Sequence, residues 1–193
     1  MCTYSTYSIS VIDLDTELKR FIIENSPYIK DYPPHFKSKK HKKVIIKKTK
    51  AMINKLDKTE LNKENSIESI INAAQIYAMA HNLDLGTGTK AKEAFSLALK
   101  LQPENSKANY LYGMFLISTQ KYQLDSEKYL LKAYSLGVED ALFSLGLIEL
   151  MKGNKPKGIA LLEQFSKKNP SNKYVLRILD GAKSNRIQFK KSQ

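Results

Sequence analysis

Cysteine is nearly absent from this chain: Cys2 is the single thiol in 193 residues, and it excludes both an internal disulfide framework and a thiolate zinc site. A lone thiol leaves the redox compartment open. Histidine is scarce too, and His35, His41 and His81 are not spaced as a ligand pair on one helical face, so no metal is expected. No uncharged apolar run reaches the roughly 18 residues that would cross a bilayer. Acidic residues are outnumbered, 19 against 32 Lys and Arg, for a formal charge of +13. Motifs of catalysis are missing as well: there is no GxSxG, no phosphate-binding Walker loop and no HExxH. Gly86-Thr87-Gly88 lacks a third glycine and follows a helical pattern, so it reads as a helix stop and turn. These absences lead to the expectation of a non-enzymatic protein without cofactor, metal or small-molecule substrate. The N-terminus shows no charged and apolar leader, which makes the cytoplasm the expected compartment. The alternative is a periplasmic or membrane-anchored lipoprotein whose signal was removed before Cys2.

What the chain has is apolar content, 42%, enough for a core of ordinary size, and an uneven distribution of charge. Between Lys37 and Lys58 stand ten lysines and one acid, Asp57, for +9, which leaves +4 for all other residues. Upstream, MCTYSTYSIS reads as loosely ordered, and Asp13 or Asp15 is placed to cap a short helix through Leu14, Leu18, Phe21 and Ile22 that ends at Pro27 or Pro33-Pro34. The lysine-rich stretch carries Val44, Ile45, Ile46, Met52, Ile53 and Leu56 at helical spacing, which predicts a basic amphipathic helix from about residue 40 to 57. Its apolar face either packs on the rest of the protein or meets a partner. Its lysines (Lys37, Lys39, Lys40, Lys42, Lys43, Lys47, Lys48 and Lys50) form a basic patch suited to an acidic surface such as nucleic acid, anionic lipid or an acidic protein.

From Ser66 onward the sequence reads helix after helix, with turn signals at even spacing and no strand alternation. ALKLQPENS (98–106), KAYSLGVED (132–140) and QFSKKNPSN (164–172) each close an amphipathic helix, and Pro103 and Pro170 stand two periods of roughly 34 residues apart. Setting the first place of a unit at Glu139 puts Leu142, Leu145-Gly146, Gly158, Leu162, Phe165 and Pro170 at places 4, 7, 8, 20, 24, 27 and 32. A unit starting at Ser106 puts Gly113, Ser126, Leu130 and Ala133 at places 8, 20, 24 and 27, with one extra residue in its turn. The first unit offers Ala80, Ala91, Phe95, Ala98 and Pro103. Small residues at places 8, 20 and 27 let antiparallel helices approach closely, and large ones fill the space between pairs.

On these residues the chain resembles the tetratricopeptide repeat family, with Sel-like character in the third unit, LGVEDALFSLGLIEL. The resemblance implies an all-α solenoid of three helix pairs, about 67–105, 106–138 and 139–172, closed by a capping helix near 172–184. Residues 1–58 would form a basic helical extension and 59–193 the repeat domain. Glu149 departs from the pattern, standing where a bulky apolar residue is usual, so its carboxylate needs water or a structural partner such as a lysine.

The family binds peptides on the concave face, and the matching places here hold Tyr77, Tyr110 and Phe143, then His81, Met114 and Leu147, with Ile117 and Leu150 one turn on. The resemblance thus implies an apolar, aromatic groove for a peptide or helix of a partner protein, as in an adaptor, scaffold or chaperone-like module. Tyr77, His81, Asp140 and Ser144 replace the basic and amide residues of the family's carboxylate clamps, so an acidic C-terminal tail is not the expected ligand. Two competing arrangements stay open: the N-terminal helices cover the rings, or a second copy does, in a homodimer.

Overall fold

The computed structural model describes residues 5–119 and 123–186; Cys2 lies outside them. Among the described residues the chain is all-α, with nine helices and no strand, and none is long and apolar enough to cross a membrane. The chain divides into two compact units, Met1–Pro103 and Glu104–Gln193.

The first unit is built on α3 (Ile67–His81), whose sequence IESIINAAQIYAMAH is apolar nearly all the way round. Such a helix is stable only when covered on several sides. Helices α1 (Ser5–Ile29), α2 (Lys39–Asp57) and α4 (Gly88–Leu101) all pack on it and leave ten of its residues buried. The apolar faces of α1 and α2 are thus completed by α3, and the basic segment packs within the first unit together with α3 and α4.

Helix α1 is longer than its sequence suggests. It starts at Ser5, ahead of Asp13 and Asp15, and continues through Pro27 in its last turn, where the missing proline donor costs one hydrogen bond near a helix end. Asp15 therefore does not cap its own helix. Its carboxylate accepts hydrogen bonds from Ser66 Oγ at 3.1 Å and from Ser69 Oγ, while Ser66 Oγ accepts from the Ser69 backbone N–H at 3.0 Å. A negative charge is thus held at the N-terminus of α3, where the free amides favour it. At the other end Asn82 Nδ2 donates to the carbonyls of Ile29 (3.1 Å) and Lys30 (3.0 Å), serving the orphan acceptors of α1. Tied from the middle of α1 to the start of α3 and again end to end, the two helices run parallel.

Helix α2 falls where the lysine-rich amphipathic pattern predicts. Ser38 caps it, accepting from His41 N–H at 3.1 Å, and Ile45, Thr49, Met52, Ile53 and Leu56 are its buried face. Lys48 pairs with Glu24 at 3.4 Å and Lys55 with Glu17. Moving two turns forward on α2 moves two turns back on α1, so these helices are antiparallel.

The second unit contains α5 (Ser106–Ser118), α6 (Gln123–Ser135), α7 (Asp140–Met151), α8 (Lys155–Lys168) and α9 (Lys173–Lys183). Each helix packs on the next, α5 on α6 through to α8 on α9. The α5–α6 and α7–α8 pairs close on the same device. A Cβ added to Gly113 would lie 2.7 Å from Leu130 Cγ and 3.3 Å from the Ser126 carbonyl oxygen. One added to Gly146 would lie 2.8 Å from Leu162 Cγ and 3.3 Å from the Gly158 carbonyl oxygen. A methyl group at either place would strike the leucine and press on the facing backbone, so glycine lets each pair close. Leu130 and Leu162, both fully buried, fill the space each glycine leaves open. Pro103 and Pro170 stand just beyond α4 and α8, whose last residues are Leu101 and Lys168.

Candidate binding surfaces

Helix α7 is the buried centre of the second unit, and half-buried side chains stand around it on α5 and α7. On α5, Tyr110, Met114 and Ile117 follow at helical spacing, each half-buried and packed against the core formed by Leu130, Ala133, Ala141, Leu145 and Ile148. Ser144 Oγ donates to Met114 Sδ at 3.0 Å, fixing α5 beside α7. On α7, Phe143 and Leu147 are half-buried one turn apart. The Phe143 ring lies 5.7 Å from Phe165 and 5.8 Å from Tyr174 of α9, and the Arg177 guanidinium stands 5.9 Å from the Tyr174 ring centre. Leu176, 43% exposed, continues on α9 the 33-residue step from Tyr110 to Phe143. The repeat pattern by itself does not point to Leu176, Tyr174 and Arg177, since a capping helix is expected to cover the last unit and not to bind. The signal that reaches Leu176 is the same step carried once beyond the last unit.

Two of the expected groove residues are buried, Tyr77 and Leu150. Tyr77 is 5% exposed, and its hydroxyl donates to Asp57 at 3.0 Å; the same carboxylate pairs with Lys90 at 2.6 Å. Burial first, then the hydrogen bond to Asp57 and its charge, pushes the Tyr77 hydroxyl pKa well up. Of the arrangements left open by the sequence, the first unit shows the N-terminal helices over this ring: the end of α2 covers it. The 5% of Tyr77 that remains exposed borders a cavity of about 360 Å³, lined also by Leu56, Leu61 and Leu97 and by the charged Asp57, Lys90 and Glu93. Leu150 is also buried, because it points into α8, where a Cβ on Gly158 would stand 2.7 Å from its Cγ. His81 is half-buried with its ring against Gly88.

Glu149, a carboxylate on a largely apolar helix, is buried and has found its partners. It accepts from Asn154 Nδ2 at 2.8 Å and Lys157 Nζ at 3.0 Å, with Lys152 Nζ at 3.7 Å. Burial raises its pKa, but the two hydrogen bonds and the charges of Lys152 and Lys157 outweigh it and hold the carboxyl below its ordinary range. Both lysines also reach Glu127, Lys157 at 4.0 Å. The network ties α7 to α8 and α6.

The lysine patch is only partly free. Lys48 is paired with Glu24, Lys37 stands 5.5 Å from the Tyr28 ring centre and Lys42 5.7 Å from that of Phe36. Lys39, Lys40, Lys43, Lys47 and Lys50 are exposed and make no ion pair among the described residues. No group of three or more His, Cys, Asp or Glu is arranged to hold a metal among the described residues. In comparisons with known proteins, the chain matches no family model, no curated protein and no solved structure.

Proposed function

We propose that this protein is an interaction module that holds an apolar peptide or helix of a partner along α5, α7 and α9, in the manner of a tetratricopeptide adaptor. The observation that carries the reading is the row of Tyr110, Phe143 and Leu176, stepping by 33 residues across three helices, each side chain partly open to solvent. Met114, Ile117 and Leu147 widen the row. Rings and branched chains on rigid helices give up little conformational freedom when they bind, which suits them as anchors. Tyr174 and Arg177 provide a polar edge beside Phe143. Tyr77 is not part of this row.

The reading is tested by selecting peptides from a random library against the full chain and titrating a selected peptide by calorimetry. Tyr110→Ala is expected to cost about 2 kcal/mol of binding, and Leu176→Asp a similar amount, with circular dichroism checking that both variants are folded. Losses below a few tenths of a kcal/mol in both would refute the row as a binding site.

A further inference from the structure

Helices α1 and α2 lie side by side on α3 and turn their other faces outward. On α1 the buried residues are Leu18, Phe21, Asn25 and Ile29, while Arg20, Ile23, Pro27 and Lys30 are exposed. On α2 the exposed Lys40, Lys43, Lys47 and Lys50 lie opposite the buried Ile45, Thr49, Met52 and Leu56. At about 100° per residue, the ion-paired flank of each helix, Glu17 and Glu24 or Lys48 and Lys55, lies roughly a quarter turn from both rows. Because the helices are antiparallel and these flanks face each other, the two outer rows open to the same side.

That shared face is basic and studded with apolar groups. Its two acids, Glu17 and Glu24, are neutralised by Lys55 and Lys48, and Asp31 stands exposed in the connecting loop. Arg20 and Lys30 join the α2 lysines as cations with no ion pair among the described residues. Ile23 is 75% exposed, Tyr32 in the connecting loop 64% and Val44 on α2 44%.

We propose that the outer face of the α1–α2 layer docks on an anionic lipid surface, with the lysines meeting headgroup phosphates and Ile23, Val44 and Tyr32 entering the interface. Lysines alone would serve any polyanion. The exposed isoleucine and valine favour lipid, since a phosphate backbone offers them nothing, whereas the boundary between headgroups and acyl chains receives both kinds of group. A broad face of two parallel rows also suits a plane better than a single strand. The apolar face of α2 stays buried on α3, so the layer lies on the surface as a folded unit and does not insert as a helix. None of these residues belongs to the α5, α7 and α9 row.

The test is sedimentation of the full chain with phosphatidylcholine vesicles, with and without phosphatidylglycerol. Binding is expected only with the anionic lipid and should weaken as salt rises. Lys43→Glu, Lys47→Glu and Lys50→Glu combined should lower the partition coefficient on the order of a hundredfold. Ile23→Ser should lower it about three- to tenfold with little change in salt dependence. The chain has no tryptophan, so Ile23→Trp reports insertion directly: its emission should shift to the blue with anionic vesicles and stay unchanged with a single-stranded oligonucleotide. The Ile23→Trp reading stands even if the triple lysine variant fails to fold. Equal binding to neutral vesicles, no binding at low salt, or tight oligonucleotide binding with no blue shift on vesicles would each overturn the proposal.

Discussion

Replacing Gly158 by alanine sets two effects of opposite sign against each other. Alanine in a helix interior is favoured over glycine by about 1 kcal/mol, so an open site would be stabilised. Here the new Cβ would stand 2.7 Å from Leu150 Cγ and 2.9 Å from the carbonyl oxygen of Gly146. A leucine side chain can rotate away, but a backbone oxygen inside α7 cannot move unless the helices separate by roughly half an ångström. Overpacking of this kind costs typically about 1–3 kcal/mol. Separation also loosens the fit of Leu162 under Gly146. The net expectation is a loss of about 1–2 kcal/mol, seen as a fall in Tm of roughly 5–15 °C for a unit of this size by circular dichroism. Gly146→Ala should cost less, because its closest contact is the Leu162 side chain at 2.8 Å and the backbone oxygen is farther, at 3.3 Å. Combined with Leu162→Ala, it should be less harmful than the sum of the two changes, since the second removes what the first strikes. Stabilisation by Gly158→Ala would refute the close approach of α7 and α8.

Glu149→Gln should destabilise the chain at neutral pH by about 1–3 kcal/mol, since it removes the charge that Lys157 and Lys152 face while keeping the amide contact to Asn154. The Glu149 pKa is lowered in the folded chain, so its contribution is present above the ordinary glutamate range and is lost as pH falls through the folded value. The variant's stability should therefore fall less steeply on acidification in urea titrations at a series of pH values, and equal slopes would refute the role. Asp15→Ala should cost about 1–2 kcal/mol by removing the acceptor of Ser66 and Ser69, and should speed hydrogen exchange at the start of α3. Tyr77→Phe should cost about 1 kcal/mol of stability and leave peptide affinity unchanged; a loss of affinity would place the Tyr77 ring back in the binding surface.

Much of the local structure was legible in the chain because it depends on near neighbours. The lysine-rich pattern located α2 nearly to the residue, since an apolar row at helical spacing is intrinsic to the sequence. Pro103 and Pro170 marked two helix ends, which needs no distant partner, and the repeated spacing of Gly113, Gly146 and Gly158 marked where helices meet because each partner lies on the neighbouring helix in the chain. The site was legible only in part. Phe143, Leu147, Tyr110, Met114 and Ile117 are half-buried on α5 and α7, but a helical period assigns a residue to a face without saying what covers that face.

The sequence alone therefore determined the all-α class, the limits of α2 and of the last helix, and the uneven placement of positive charge. Tertiary structure alone decided what each face meets. Asp15 looked like the cap of its own helix and binds the start of α3, 51 and 54 residues away. Tyr77 looked like an open ring and lies beneath the end of α2, and Leu150 looked outward and fills the space beside Gly158. The reason is that burial and hydrogen-bond partnership are properties of pairs brought together by folding, whereas propensity and period belong to single segments.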